Sequence, residues 1–215
     1  MLGLSFRNRC GLTPSRFAAL ACEAEEAGFQ HLIFTERFND VVAYLVAAAG
    51  TTRRSQLWSG VANVGLRHPV LMASGAAVID DVSRGRFTLG LGIGNEWHPG
   101  ERYDTLASSP LALMREYVAV VRAALNNEII DHPGPRFPVR GAHMSFKPLR
   151  ADLPIVLAAL GPRMIELGAE IADGVFVHML GPQDLPAVRE NIALGCERSQ
   201  RDPDEITLAV LPILC

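Results

Sequence analysis

The 215-residue chain lacks the features that mark several large classes of protein. Its four cysteines include no C-x-x-C pair, which favours free thiols over a zinc knuckle or redox pair, and Lys147 is its only lysine. A net charge of -3 indicates no basic surface for nucleic acid or anionic lipid. The apolar runs end at about ten residues, below the roughly 20 that cross a bilayer. The N-terminus shows no signal-peptide pattern. We therefore expect a cytoplasmic protein with a small-molecule substrate and no nucleic-acid or membrane partner.

Hydrophobic residues make up 49% of the chain, enough for one sizeable core. They form runs of strand length that alternate with helical patterns, which predicts an α/β domain with a parallel sheet and right-handed crossovers. The predicted strands are residues 2–6, 29–34, 56–62, 86–91, 155–159, 174–178 and 206–211. The predicted helices are residues 13–27, 41–49, 68–82, 110–126, 162–171 and 182–199.

Seven predicted strands approach the eight of a TIM-type (β/α)8 barrel, which carries its active site at the C-terminal ends of its strands. The expected fold class is therefore a (β/α)8-type barrel with the eighth strand and last helices missing, so that residues 1–215 form one incomplete barrel domain. Two explanations stay open: a fragment, or a shortened barrel with exposed edges at its first and seventh strands. Such edges require cover, so we expect a homo-oligomer.

A proline-rich insertion at about residues 127–153 interrupts the alternation of strands and helices. Five prolines lie between Pro133 and Pro154, and the next strand begins only after them. A connection of this length within a domain is usually a functional lid or a disordered segment. We expect it to form part of the wall around the substrate.

The strand at residues 86–91 runs into a glycine-rich end. Gly90, Gly92 and Gly94 repeat at every second position, so one face of the strand has almost no side chains. A flat ligand or another stretch of backbone can approach such a face closely. The pattern predicts one wall of a cofactor site.

Several blocks of the sequence resemble the bacterial luciferase-like monooxygenase superfamily. In chain order they are Ala24 to Phe29 with Phe34 to Phe38, Gly60 to Asn63 with Arg67 to Pro69, and Ser83 to Gly92. A further pair of blocks, Ala158 to Met164 and Ala172 to Val175, is similar to the deazaflavin-dependent branch that includes methylenetetrahydromethanopterin reductase.

The resemblance implies a (β/α)8 barrel that binds coenzyme F420, with FMN as the runner-up cofactor. It implies an oxidoreductase that transfers a hydride between coenzyme F420 and a small organic substrate. Three alternatives remain open: an FMN-dependent monooxygenase, a shortened flavin-binding protein without catalysis, and an inactive truncated product that depends on a partner for stability. The resemblance also implies a non-prolyl cis peptide at Gly60-Val61, in a bulge behind the cofactor ring.

The family's site residues carry over to particular positions of this chain. Glu36 matches an acidic residue near the cofactor ring, or else is a surface carboxylate paired with Arg37. Asn63 matches a residue that hydrogen-bonds the cofactor, or else it completes its own turn. Gly60, Val61, Gly94 and Asn95 bring backbone close to the cofactor; the last two could also form an ordinary turn.

The remaining candidates are an anion site and two histidines. Leu160, Gly161 and Arg163 surround the start of a helix, where backbone N–H groups and one charge could hold an anion, unless this is an ordinary helix start. His98 and His178 join Glu36 as candidate catalytic residues because imidazole titrates near neutrality, although a lone histidine is more often a polar rim residue. The sequence predicts no metal site.

Overall fold

The computed structural model describes residues 2–6, 11–36, 39–94 and 109–211. The strands are β1 Gly3–Phe6, β2 His31–Phe34, β3 Gln56–Ser59, β4 Ala62–Asn63, β5 Phe87–Gly92, β6 Ile130–His132, β7 Val139–Ala142, β8 Ile155–Ala159, β9 Gly174–His178 and β10 Thr207–Leu211. The helices are α1 Pro14–Glu26, α2 Val41–Thr51, α3 Pro69–Ser83, α4 Pro110–Leu125, α5 Pro162–Ile171 and α6 Leu185–Ser199. Single 3-10 turns lie at Pro182–Asp184 and Pro203–Glu205.

The main sheet is parallel, as predicted. Its strand order is β1-β2-β3-β5-β8-β9-β10, and β4 continues β3 along the side of β5. Helices connect the strands, so the sheet is the curled, incomplete (β/α)8-type barrel that the sequence predicts. Within the part of the chain that the structure describes, β1 and β10 are the two edges of the sheet.

The helices begin where capping residues predict. The Thr13 side chain accepts a hydrogen bond from Arg16 N (3.3 Å) before Pro14 begins α1. The Asp40 carboxylate accepts from Val42 N (2.9 Å) and Ala43 N (3.3 Å) and starts α2. Such side chains satisfy N–H groups that have no partner inside the helix, which is why they define helix starts from sequence.

Hydrophobic side chains pack on both faces of the sheet. On the outer face, strand residues such as Leu57, Leu89 and Leu157 pack against the helices in the large core. Alternate residues point to the concave face, where Trp58, Val156 and Phe176 form a separate cluster. The site lies above this cluster, at the C-terminal ends of the strands.

The proline-rich insertion is a hairpin anchored to the outside of the barrel, where a lid or a disordered segment was expected. Its strands β6 and β7 pair antiparallel. The Glu116 carboxylate, on α4, accepts hydrogen bonds from Arg136 N (3.0 Å) and Phe137 N (2.8 Å) in the connection between the two strands. The hairpin therefore supports α4.

Candidate functional site

A bulge divides the third predicted strand at the mouth of the barrel. The Gly60-Val61 peptide is cis, as expected from the resemblance. The pairing register with β5 shifts by one residue between Trp58 and Ala62, so β3 and β4 are two segments and the predicted continuous strand over residues 56–62 is wrong at this point. Ser59 bridges the gap, because its Oγ accepts from Gly90 N (2.8 Å) and donates to Gly90 O (2.9 Å).

The bulge packs directly against the face of β5 that carries only glycines. A Cβ added to Gly90 would overlap the Ser59 carbonyl oxygen, and one added to Gly92 would lie 2.5 Å from Val61 Cγ2. The glycines therefore admit another stretch of backbone, which is one of the two occupants that the sequence allowed. Any wall offered to a cofactor here is formed by the bulge that lies on the glycines.

Glu36 is a buried carboxylate that binds three different segments. Its side chain is 1% exposed, so the alternative of a surface carboxylate is wrong. Oε1 accepts from Val41 N (3.3 Å) and from the Arg67 guanidinium, and Oε2 accepts from Asn63 N (2.7 Å). The Glu36 N–H in turn donates to Val61 O (3.3 Å). Glu36 thus joins the start of α2 to both sides of the bulge.

Asn63 and Gly94 complete this side of the mouth. Asn63 Oδ1 accepts from Gly65 N (2.9 Å), so the side chain does stabilise its own turn. Its Nδ2 faces Gly94, at 2.6 Å from the position that a Cβ would take there. Gly94 has φ +92°, a conformation that favours glycine. Glu36, Gly60, Val61, Asn63 and Gly94 are therefore neighbours, whereas Asn95 and His98 lie outside the described residues.

The opposite side of the mouth follows β8. Leu160 is 68% exposed, and no described atom lies within 4 Å of a Cβ placed on Gly161. In the described part of the chain no side chain caps α5, which begins at this glycine. Arg163 lines a groove of about 260 Å³ together with residues of α4 and α6, so its side chain lies on the helical side of the turn.

His178 ends β9 and is half-buried. The next residue, Met179, has φ +64° and is 55% exposed. Exposed apolar side chains such as Leu160 and Met179 at neighbouring strand ends are suited to cover an apolar ring. Together with the open backbone at Gly161, they fit a flat cofactor that carries an anionic part.

Sequence reasoning missed three candidate functional residues, which are Thr35 and Arg67 at the mouth and Trp58 in the cluster below it. Thr35 Oγ1 donates to Gly60 O (2.9 Å) and so holds the bulge. Trp58, 9% exposed on the concave face, has an indole Nε1 without an acceptor among the described residues. In the sequence, Arg67 stands out only as part of a motif of the family resemblance. Burial on its own would lower the pKa of Arg67, but the hydrogen bond and charge of Glu36 outweigh it and raise that pKa.

Among the residues that the structure describes, no group of three or more His, Cys, Asp or Glu side chains could hold a metal ion. No helix in the same part is both long enough and apolar enough to cross a membrane.

Known proteins resemble this chain along most of its length. The family model for luciferase-like monooxygenase matches residues 4–215. A 5,10-methylenetetrahydromethanopterin reductase from Methanolobus tindarius is 34% identical over 201 residues, which cover 90% of this chain and 59% of the relative. The corresponding reductase from Archaeoglobus fulgidus is 34% identical over 183 residues, which cover 84% and 54%.

A solved structure shows the same fold. The coenzyme F420 dependent tetrahydromethanopterin reductase from Methanopyrus kandleri has a TM-score of 0.85 at 25% identity, over 97% of this chain and 64% of that one. The chain therefore spans less than two thirds of the length of each of these three proteins.

Proposed function

Because the chain belongs to the luciferase-like monooxygenase family, we propose that it is an oxidoreductase that transfers a hydride between coenzyme F420 and a small organic substrate. The proposal is supported by the mouth of the barrel, where a bulge held by Glu36 faces an open helix start across exposed apolar strand ends. The reductases similar to this chain include one whose name states its dependence on coenzyme F420. When bound, the deazaflavin ring supplies the hydride chemistry.

The residues of the chain would bind and orient this cofactor. Val61, which packs against Gly90 and Gly92, would support one face of the ring, and Leu160 would cover an apolar part of the ring nearby. The N–H groups at the start of α5 would hold an anionic group of the cofactor beside Gly161. Fixed backbone of this kind keeps a bound ring in one orientation, which is the protein's main contribution to such a reaction.

The two described candidates for catalysis would have different tasks. The two carboxylate oxygens of Glu36 already accept three hydrogen bonds, so we assign Glu36 the task of holding the bulge in shape. His178 lies at a strand end facing the mouth and would carry the proton that accompanies hydride transfer, since imidazole exchanges protons near neutral pH.

Cofactor binding tests the proposal directly. Titration of the protein with coenzyme F420, followed by quenching of the coenzyme's fluorescence, should be saturable, and FMN should bind more weakly. Gly161→Ala should weaken F420 binding on the order of tenfold, the effect of one misplaced methyl group in a binding pocket. Its stability should hardly change, because the added Cβ meets no described atom within 4 Å and Gly161 has an extended backbone with φ -133°.

Gly50→Ala is the matched control, since its added Cβ also meets no described atom within 4 Å and lies far from the mouth, near the end of α2. It should leave the affinity unchanged. Tighter binding of FMN than of F420 would favour the monooxygenase alternative. Failure of both cofactors to bind would refute the proposed function.

We also propose that two copies associate through the outer faces of α2 and α3. Helix α2, VVAYLVAAAGT, has no charged residue, and α3 exposes Leu71 (63%), Val78 and Val82. The two helices lie side by side, with Gly75 of α3 packed against Val42. A helix on the outside of a barrel normally presents polar residues to water, whereas this surface is mostly apolar, with Asp81 as an exposed charge on α3. Such a surface suits an equally apolar partner, a second copy of the same face.

The double substitution Leu71→Glu with Val78→Glu tests this interface. Light scattering after size exclusion should show a dimer for the wild-type protein and a monomer for the variant, because like charges would meet across the two-fold axis. Leu194→Glu, an exposed position on α6, is the control and should leave the dimer intact. A wild-type protein that stays monomeric at every concentration would contradict the proposal.

A further inference from the structure

We propose that Arg67 is a positioning residue of the cofactor site: its guanidinium clamps Glu36 and Asp40 and thereby fixes residues 60–66, against which the cofactor ring lies. The part of this inference that concerns the cofactor rests on the proposed function. The part that concerns the shape of residues 60–66 stands on contacts within the unliganded protein.

The Arg67 guanidinium binds two carboxylates at once. One nitrogen, Nη1, contacts Glu36 Oε1, and the other, Nη2, lies 2.6 Å from Asp40 Oδ1. The Arg67 side chain is 14% exposed and that of Glu36 is 1% exposed, so this pair is shielded from solvent, unlike ordinary surface ion pairs. A planar guanidinium can serve two acceptors in fixed directions, which a lysine ammonium cannot reproduce.

The Glu36 carboxylate, held by Arg67, in turn holds the backbone of the bulge. Glu36 Oε2 accepts from Asn63 N at 2.7 Å, directly after the cis peptide, and the Glu36 N–H donates to Val61 O at 3.3 Å. Asp40 meanwhile caps α2. If the guanidinium is removed, Glu36 becomes a buried charge without a cation. The side chain would then shift, and its hydrogen bonds to residues 61–63 would be weakened.

The backbone of Arg67 is held independently of its side chain. Tyr117 Oη, on α4, donates to Arg67 O at 3.0 Å. The Phe137 ring of the hairpin packs edge-on against Tyr117, with ring centroids 5.3 Å apart, and against the adjacent His68 at 5.8 Å. A substitution that keeps the aliphatic stem of Arg67 should therefore leave this turn in place and remove only the clamp.

The chain offers a closely matched control in Arg150. Its guanidinium binds the Asp80 carboxylate through Nε (3.0 Å) and Nη2 and also donates to Phe87 O (2.7 Å). The Asp80 side chain is 1% exposed, as is that of Glu36. This second pair lies where β5 begins, at the opposite end of the barrel from the mouth. Loss of either arginine therefore leaves one buried carboxylate unpaired, but only Arg67 contacts the site.

The test compares Arg67→Met, Arg67→Lys and Arg150→Met. In the unliganded proteins, hydrogen exchange of the Asn63 amide should be at least about tenfold faster in Arg67→Met than in the wild type, since the Glu36 carboxylate that accepts from this amide loses the cation that fixes its position. Arg150→Met should leave exchange over residues 60–66 unchanged while it lowers the melting temperature. Arg67→Lys, which keeps the charge but not the fork, should restore part of the protection.

The same variants should differ in their affinity for coenzyme F420. Arg67→Met should weaken binding about tenfold, the typical effect of removing a residue that orients ligand-binding groups, and Arg150→Met should leave it within about twofold. Unchanged exchange over residues 60–66 in Arg67→Met and Arg67→Lys would overturn the clamp. Equal losses of affinity in Arg67→Met and Arg150→Met would mean that Arg67 stabilises the fold in general and does not position the cofactor site. A wild-type protein that binds no F420 would refute the proposed function instead, and the exchange comparison would still decide the clamp.

Discussion

Gly90→Ala should lower the free energy of unfolding by about 3 kcal/mol, the upper part of the range for inserting a methyl group into packed structure. The added Cβ would overlap the carbonyl oxygen of Ser59 and lie 3.3 Å from Val61 Cγ1. Both strands are buried here, so backbone must move to make room. Because the displaced segment is the bulge, binding of coenzyme F420 should be lost together with stability.

Denaturation by urea measures the first effect, and the fluorescence titration measures the second. Gly50→Ala serves again as the control, because alanine in an exposed helix position stabilises by up to about 1 kcal/mol relative to glycine. If the free energy of unfolding of Gly90→Ala were within about 0.5 kcal/mol of the wild-type value, the bulge could shift without cost and would not require a glycine at position 90.

Glu25→Gln should lower the free energy of unfolding by about 2 kcal/mol at neutral pH. The Glu25 side chain is buried at the end of α1 and accepts from the backbone N–H groups of Arg53 (3.0 Å), Arg54 (2.7 Å) and Ser55 (2.7 Å). Burial would raise the pKa of Glu25, but the donors at Ser55, Arg54 and Arg53 together outweigh it and lower that pKa to about 2.

The same contacts set the pH dependence of this effect. A carboxyl whose pKa falls from 4.5 in the unfolded chain to about 2 in the folded protein stabilises the fold fully above pH 4.5. That contribution is lost as the pH falls from 4.5 towards 2, so the difference between wild type and Glu25→Gln should shrink over this window. Urea denaturation at several pH values measures it.

Glu23→Gln, on the same helix, is the control for Glu25. Glu23 lies 3.6 Å from Arg16, and both side chains are 59% exposed, so its removal should change stability by less than about 0.5 kcal/mol. A Glu25→Gln deficit that stays constant from neutral pH down to pH 3 would mean that the side chain stabilises by shape and not by charge.

Local patterns in the sequence predicted most of the fold. The strand and helix order agrees because hydrophobic periodicity and capping residues such as Thr13 and Asp40 act within a few residues of themselves. The exceptions are the break at Gly60 and the hairpin within residues 127–153. Each depends on a distant partner: Ser59 on Gly90, and the connection after β6 on Glu116.

The candidate site was predicted in part. Glu36, Gly60, Val61, Asn63 and Gly94 do meet at the mouth, because strand ends of a parallel barrel converge there. The roles of these residues as ligands of a cofactor stay predictions. Arg67 could not be paired with Glu36 from the sequence, because 31 positions separate them and only the packing of two loops brings their charges together.

By itself, the sequence determined the parallel α/β barrel architecture, the starts of its helices and the family to which the chain belongs, because these depend on periodicity, caps and motifs along the chain. Only the tertiary structure decided what occupies the bare face of Gly90 and Gly92, and which cation faces Glu36. A glycine leaves room for a neighbouring group, and a buried carboxylate requires a cation or hydrogen-bond donors. Neither residue specifies which part of the chain supplies that neighbour. That choice is made by residues far apart in the chain when the strands pack.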